Sequence, residues 1–266
     1  MSALTCTIIQ SQLHWEDKTA NLNMFEQKIN SITDKTELVI LPEMFTTGFS
    51  MKPESLAESM EGESVQWMKA MSRKKNIILT GSLMIEESGK FYNRLIWMLP
   101  NGTFGKYDKR HLFAYAQEDK YFTSGQTRFI ASVKGWRINL NVCYDLRFPV
   151  WTRQSVDEKD NAALEYDLLI NVANWPALRS QAWKTLLQAR AIENQCFCIG
   201  VNRVGTDANN IYYSGDSMII HPLGEVIYHK EHAEDISTMT LHKVSVEDAR
   251  NRMPFWKDAD SFLIQA

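Results

Sequence analysis

The sequence has no long apolar run. No run exceeds five residues, the length of Leu95 to Leu99, against the roughly 20 that a bilayer-spanning helix needs. A spanning helix is excluded. Marks of secretion are missing too, since no Lys or Arg precedes Lys18 and no apolar stretch follows it, and the expected location is the cytoplasm. Cysteine is sparse. The four residues Cys6, Cys143, Cys196 and Cys198 form no CxxC pair, which in a large chain without secretory marks favours free thiols over a disulfide framework. Excess charge is small, at −3 with Lys and Arg dispersed, so the electrostatic footprint of a nucleic-acid binder is excluded. Low-complexity tracts, linkers and fixed-period repeats are lacking as well. What remains is a globular composition, 44% apolar and 23% charged, which rules out a disordered or collagenous chain. The 266 residues read as a single domain, 1–266.

The chain opens as a βαβ unit. Thr5 to Gln12 and Glu37 to Leu41 read as strands, the second through the buried run LVIL. Between them Leu22, Phe25, Ile29 and Ile32 recur at spacings of three and four behind an Asp17 cap, which predicts a helix. A second helix is expected over Ser64 to Lys75, then strands over Asn76 to Ile85 and Phe91 to Leu99. Asn101 and Gly102 signal a hairpin into Thr103 to Tyr107. Further strands read at Thr127 to Val133, Arg137 to Cys143, Asp167 to Ala173 and Cys196 to Asn202, with a helix over Ser180 to Glu193. A last hairpin joins Ser217 to His221 with Glu225 to His229. The class is α/β, with helices between strands in both halves. Only Thr46 to Glu63 lacks periodicity, and it is expected to form a lid or a rim.

Reactive residues fall at strand ends. Glu43 follows LVIL and Pro42, Lys109 follows the hairpin strand, and Cys143 closes RINLNVC. Strand ends are where α/β folds assemble sites, because strands hold side chains rigidly while loops give access. Parity sharpens the case for Cys143. Ile138, Leu140 and Val142 share one face of their strand, whereas Cys143 shares the other with Arg137, Asn139 and Asn141. Each residue also has a bland reading: a core thiol for Cys143, a solvated carboxylate for Glu43, a surface ammonium for Lys109.

The segments LPEMFTTGF (Leu41 to Phe49), YDKRHLF (Tyr107 to Phe113) and NVCYDLRFP (Asn141 to Pro149) resemble, in this order, the Glu, Lys and Cys signatures of the nitrilase superfamily of carbon-nitrogen hydrolases. The resemblance continues through VANWPA, ARAIENQ and SGDSMIIHPLGE over nearly the whole chain, and is strongest to the ω-amidase, or 2-oxoglutaramate amidase, branch. It implies a four-layer αββα sandwich, with Cys143 as nucleophile, Glu43 as general base and Lys109 as stabiliser of the tetrahedral intermediate. Glu118 matches the family's second glutamate, with Asp119 adjacent as the alternative. The backbone N–H of Tyr144 becomes the second oxyanion donor. The family usually pairs through helices, which implies a homodimer or higher homo-oligomer.

Chemistry explains why these residue types are needed. An amide carbonyl is a poor electrophile, so a thiol attacks it best when a carboxylate removes its proton and a cation faces the developing oxyanion. No metal or organic cofactor is required by that scheme. The expected partner is a small-molecule amide with its own carboxylate, and Arg147 is the first candidate to grip it, with Arg179 and Arg203 as alternatives. An ion pair of Arg147 with Asp145 is the competing role. Asn174 and Trp175, after the strand Asp167 to Ala173, are expected to line the cleft, although packing suits Trp175 equally. Rival readings are a cysteine-histidine hydrolase using His14, His111 or His221, a metal site from His221, His229 and His232, and a non-catalytic binding protein on the same fold. Cys6, Cys196 and Cys198 read as core.

Overall fold

The computed structural model describes residues 2–157 and 163–264. Its first half runs β1 (Ala3–Gln10), α1 (Lys18–Asn30), β2 (Leu38–Ile40), α2 (Pro53–Leu56), α3 (Glu63–Lys75), β3 (Ile78–Glu87), β4 (Lys90–Met98), β5 (Phe104–Asp108) and α4 (Glu118–Tyr121). The second half runs β6 (Ile130–Val133), β7 (Trp136–Val142), α5 (Pro149–Thr152), the short pair β8 (Val156–Asp157) and β9 (Ala163–Leu164), β10 (Leu168–Ala173), α6 (Ser180–Asn194), β11 (Phe197–Asn202), β12 (Val204–Thr206), β13 (Tyr212–Ile220), β14 (Val226–Glu231), β15 (Asp235–His242) and α7 (Lys243–Arg252).

Two sheets result. One has the order β15-β1-β2-β3-β4-β5, the other β12-β13-β11-β10-β7-β6 with β14 on β13. Strand alternation decides how they stack. In the first sheet Leu4, Cys6, Ile8, Leu38, Ile40, Leu95 and Trp97 join the same apolar cluster as Ile138, Leu140, Ile170 and Val172 of the second sheet. The intervening residues Ile9, Val39, Ile96 and Met98 point the other way, onto Leu22, Phe25 and Ile29 of α1 and Val65, Met68 and Met71 of α3. On the far side, Trp183 and Leu187 of α6 lie over Gly200 of β11, where any Cβ would collide with both. The layers are therefore helix, sheet, sheet, helix, as expected from the sequence.

Local signals explain most elements. Asp17 accepts from the Ala20 N–H at 2.9 Å and caps α1, and α3 ends on Asn76 in the left-handed region at φ 53°. Several elements depart from expectation. The strand at Arg137 to Cys143 stops one residue early, at Val142, because Cys143 turns out of the sheet with φ 47°. β15 and α7 were not expected; β15 pairs antiparallel with all of β1, from Ala3 opposite His242 to Gln10 opposite Asp235. The aperiodic stretch 46–63 is packed down rather than free. It contains α2 and bridges Glu58 to Ile85 in β3, and Phe49 alone of it reaches the cavity described next.

Candidate active site

Four chain segments bring their functional residues to one place: the ends of β2, β5, β7 and β10. Glu43 follows β2 in a turn where Met44 takes φ 43° and donates its N–H to Ser82 Oγ at 2.9 Å. Its carboxylate is fully buried and used on both oxygens. Oε1 accepts from Asn93 Nδ2 at 2.8 Å and from Lys109 Nζ at 2.9 Å, and Oε2 accepts from the Asn174 N–H at 2.8 Å. Asn174 Nδ2 also donates to the Glu43 carbonyl at 2.6 Å, which ties the two sheets together at the site.

Lys109 stands between two carboxylates. Its Nζ donates to Glu43 Oε1 at 2.9 Å and to Glu118 at 3.0 and 2.8 Å, and all three side chains are fully buried. Burial opposes a charge on the lysine, but Glu118 and Glu43 outweigh it and hold the ammonium above its ordinary range. Burial pushes the Glu118 carboxyl upward, with Lys109 pulling the other way. The Phe113 N–H fixes Glu118 Oε2 at 2.6 Å. Asp119 is exposed, so the second acid at the site is Glu118. Asn93, from the middle of β4, donates to Glu43 and also approaches Glu118 at 3.2 Å. Sequence reading passed over it; the available signal was one amide sharing a strand face with Phe91, Leu95 and Trp97, where it needs a buried partner.

Cys143 opens a tight helical turn, Cys143–Arg147, directly after β7. The turn is clamped by Asp145, whose carboxylate accepts from the Val142 N–H at 3.0 Å, Tyr107 Oη at 2.8 Å and the His111 N–H at 2.9 Å. His111 Nδ1 lies 2.8 Å from the same carboxylate, and its ring stacks on Phe148. One buried carboxylate thus joins the cysteine turn to the segment after Lys109. Burial and the Glu43 carboxylate raise the Cys143 thiol well above its ordinary range, with Lys109 opposing, so the resting group is a neutral thiol.

Cys143 borders a cavity of about 570 Å³, also lined by Tyr144, Arg147, Asn174 and Trp175. Glu43, Lys109 and Glu118 do not line it; they are buried, and their charges act on the Cys143 thiol. Trp175 fills both roles considered for it: it lines the cavity, yet is 3% exposed and packs on Trp183. Arg147 does not pair with Asp145, whose oxygens are already occupied; its guanidinium lies 4.9 Å over the Trp175 ring. Arg179 also lines the cavity, over Phe113 at 5.2 Å. Arg203 does not. It is buried over Tyr213, with Nη2 on the Leu13 carbonyl, and burial lowers its pKa.

Among the described residues no histidine lines the cavity, so the cysteine-histidine arrangement is not assembled. His14 is exposed, His111 serves Asp145, and His221 packs on Phe197. The three histidines weighed as a metal site are dispersed. Among the described residues the grouping of donors is Asp216, His229 and Glu231, and Lys184 Nζ lies 3.5 Å from Asp216. A resident cation beside the central carboxylate disfavours a metal there. Cys6, Cys196 and Cys198 are fully buried in the core. Burial pushes the Cys196 thiol up to about 12.

A buried Glu-Lys-Cys set at strand ends of an αββα sandwich, opening on one cavity, defines a hydrolase of carbon-nitrogen bonds. The comparisons agree: the carbon-nitrogen hydrolase family model matches residues 5–251, and the chain belongs to that family. It is 42% identical over 99% of its length to all of the omega-amidase YafV of Escherichia coli strain K12. It is 29% identical to the 2-oxoglutaramate amidase of Bacillus subtilis, over 96% of each chain. Among solved structures, a CN-hydrolase superfamily protein of Xanthomonas campestris with an arsenic adduct in its active site superposes with a TM-score of 0.97. It is 40% identical, with both chains covered completely.

Proposed function

We propose that this protein hydrolyses a short ω-amide carrying a free carboxylate, of the 2-oxoglutaramate or succinamate kind, to the acid and ammonia. The observation that carries the reading is that Cys143 and Arg147 line one cavity, with no acidic side chain in its lining among the described residues, while the Glu43-Lys109-Glu118 cluster lies buried beside the Cys143 thiol. The names of the two amidases above support the acyl group.

Each residue then has a role. Glu43 takes the thiol proton as Cys143 Sγ attacks the amide carbon, because the thiol is not ionised beforehand. Lys109, kept charged by its two carboxylates, and the Tyr144 N–H receive the developing oxyanion. Collapse breaks the C–N bond, and ammonia leaves with the proton held on Glu43. Water, deprotonated by the same carboxylate, then cleaves the thioester. Glu118 holds Lys109 in line, Asn174 holds Glu43, and Arg147 grips the substrate carboxylate from its seat on Trp175.

The test is release of ammonia from a panel of amides, nitriles and carbamoyl amino acids. Turnover of 2-oxoglutaramate and succinamate above the others is expected. Preference for nitriles or uncharged amides would leave the family and overturn the ω-amide assignment, and no turnover at all would favour a binding protein. Cys143→Ala should abolish turnover with the fold intact, and Glu43→Gln should lower kcat by about 10² to 10⁴. We further propose a cytoplasmic enzyme working as a homodimer or larger homo-oligomer. Its support is the resemblance together with the exposed Ile192 on α6, which lies against Gly224, the neighbour in sequence of the exposed Leu223. Light scattering giving a single chain mass would overturn the oligomer.

A further inference from the structure

A short monoamide has about ten non-hydrogen atoms. At roughly 30 Å³ for each water-sized group it fills at most about half of the 570 Å³ cavity. The part of the lining formed by Phe113, Tyr115, Leu178, Ile211 and Tyr212 is apolar, and its rim is open, with Tyr115 87% and Leu178 93% exposed. Into this lining is set a second cation. Arg179 rests on the Phe113 ring as Arg147 rests on Trp175, so the two guanidiniums stand on different aromatic seats of one cavity. Among the described residues, neither has a carboxylate or hydrogen-bond acceptor for its guanidinium, and no Asp or Glu lines the cavity.

A monoamide has one carboxylate, which occupies Arg147. An amide has two ends, however, and the end left over is the amine. We propose that the site also takes secondary ω-amides whose amine half carries its own carboxylate and an apolar side chain, the chemical class of N-succinyl and N-glutaryl amino acids. Arg179 binds the amine's carboxylate through its paired N–H groups, and the apolar rim takes the side chain. The inference rests on Arg147 holding the acyl carboxylate. The chemistry is unchanged: Sγ bonds to the ω-carbonyl carbon and the C–N bond breaks. The amino-acid nitrogen leaves with the proton from Glu43, and one water converts the thioester to the dicarboxylate.

The experiment compares three substrates by release of free amine or ammonia: succinamate, N-succinyl-L-phenylalanine, and N-succinylphenethylamine, which keeps the aromatic group but lacks the second carboxylate. N-succinyl-L-phenylalanine should be cleaved with kcat/KM about ten- to a hundredfold above N-succinylphenethylamine. In Arg179→Met, the ratio of kcat/KM for N-succinyl-L-phenylalanine to that for succinamate should fall by a similar factor, and Arg179→Lys should restore part of it. Turnover of succinamate alone, or equal rates for the two aromatic substrates, would overturn the inference. Failure of wild-type protein on all three would overturn the amidase reading beneath it.

Discussion

Lys109 is bonded to two carboxylates at once, and this pairing sets the behaviour of the thiol beside it. The lysine stays charged and the thiol stays protonated, because both are held above their ordinary ranges. Neither then titrates between about pH 7 and 9, so neither should contribute a rise in kcat/KM across that window. A tenfold rise per pH unit there would show that a preformed thiolate limits the rate. Access rather than acidity distinguishes the cysteines: Cys143 is 9% exposed, whereas Cys6, Cys196 and Cys198 are at 0%. Iodoacetamide should therefore add one carboxamidomethyl group, on Cys143, read by peptide mass spectrometry. Glu118 and Asn93 act through Lys109 and Glu43. Glu118→Gln and Asn93→Leu should lower kcat at least about tenfold with KM nearly unchanged, as expected when only transition-state contacts are lost. A change confined to KM would make them binding residues.

At the scale of elements, Asp145 matters most. It fastens the turn after β7 to the segment after β5 through three donors and a histidine ring. Asp145→Ala leaves those buried groups unsatisfied and should cost about 3 kcal/mol or more, seen as a lower denaturant midpoint. The same residue shows where sequence reading reaches its limit. Proximity in the chain suggested an Asp145–Arg147 ion pair, but the carboxylate is consumed by partners 34 and 38 residues away, which spacing does not reveal. β7 was legible because one face is apolar and the other amide-rich. Cys143 was assigned to that strand because a left-handed φ on a non-glycine residue leaves no compositional mark. β15 was missed for another reason. Its DISTMTLH segment is only partly buried and mostly polar, and it becomes a strand by pairing with β1, including Thr5 to Thr240 and Thr7 to Thr238 hydroxyl contacts at 2.9 and 2.8 Å. The Glu43, Lys109 and Cys143 set was visible as three strand-end residues, yet its closure through Asn93 and Asn174 required the folded chain.

The whole molecule opposes its own site in charge. The chain carries −3 overall, whereas among the described residues the cavity is lined by two arginines and no carboxylate. A carboxylated substrate therefore meets weak repulsion at long range and attraction near the mouth. Which wins is a matter of distance. The Debye length is about 10 Å at 0.1 M salt, so dispersed surface charge is already screened under ordinary conditions, while a guanidinium at the cavity wall acts within a few ångströms of the bound anion. Raising NaCl from about 20 mM to about 500 mM should thus lower kcat/KM for succinamate by about two- to fivefold, mostly through KM. An uncharged amide of the same length, measured alongside, should show no such decline, since it has nothing for the arginines to attract. The sign is decisive: a rise in kcat/KM with salt would mean that net negative charge governs approach, and equal salt responses for the two amides would remove the cavity arginines from substrate capture.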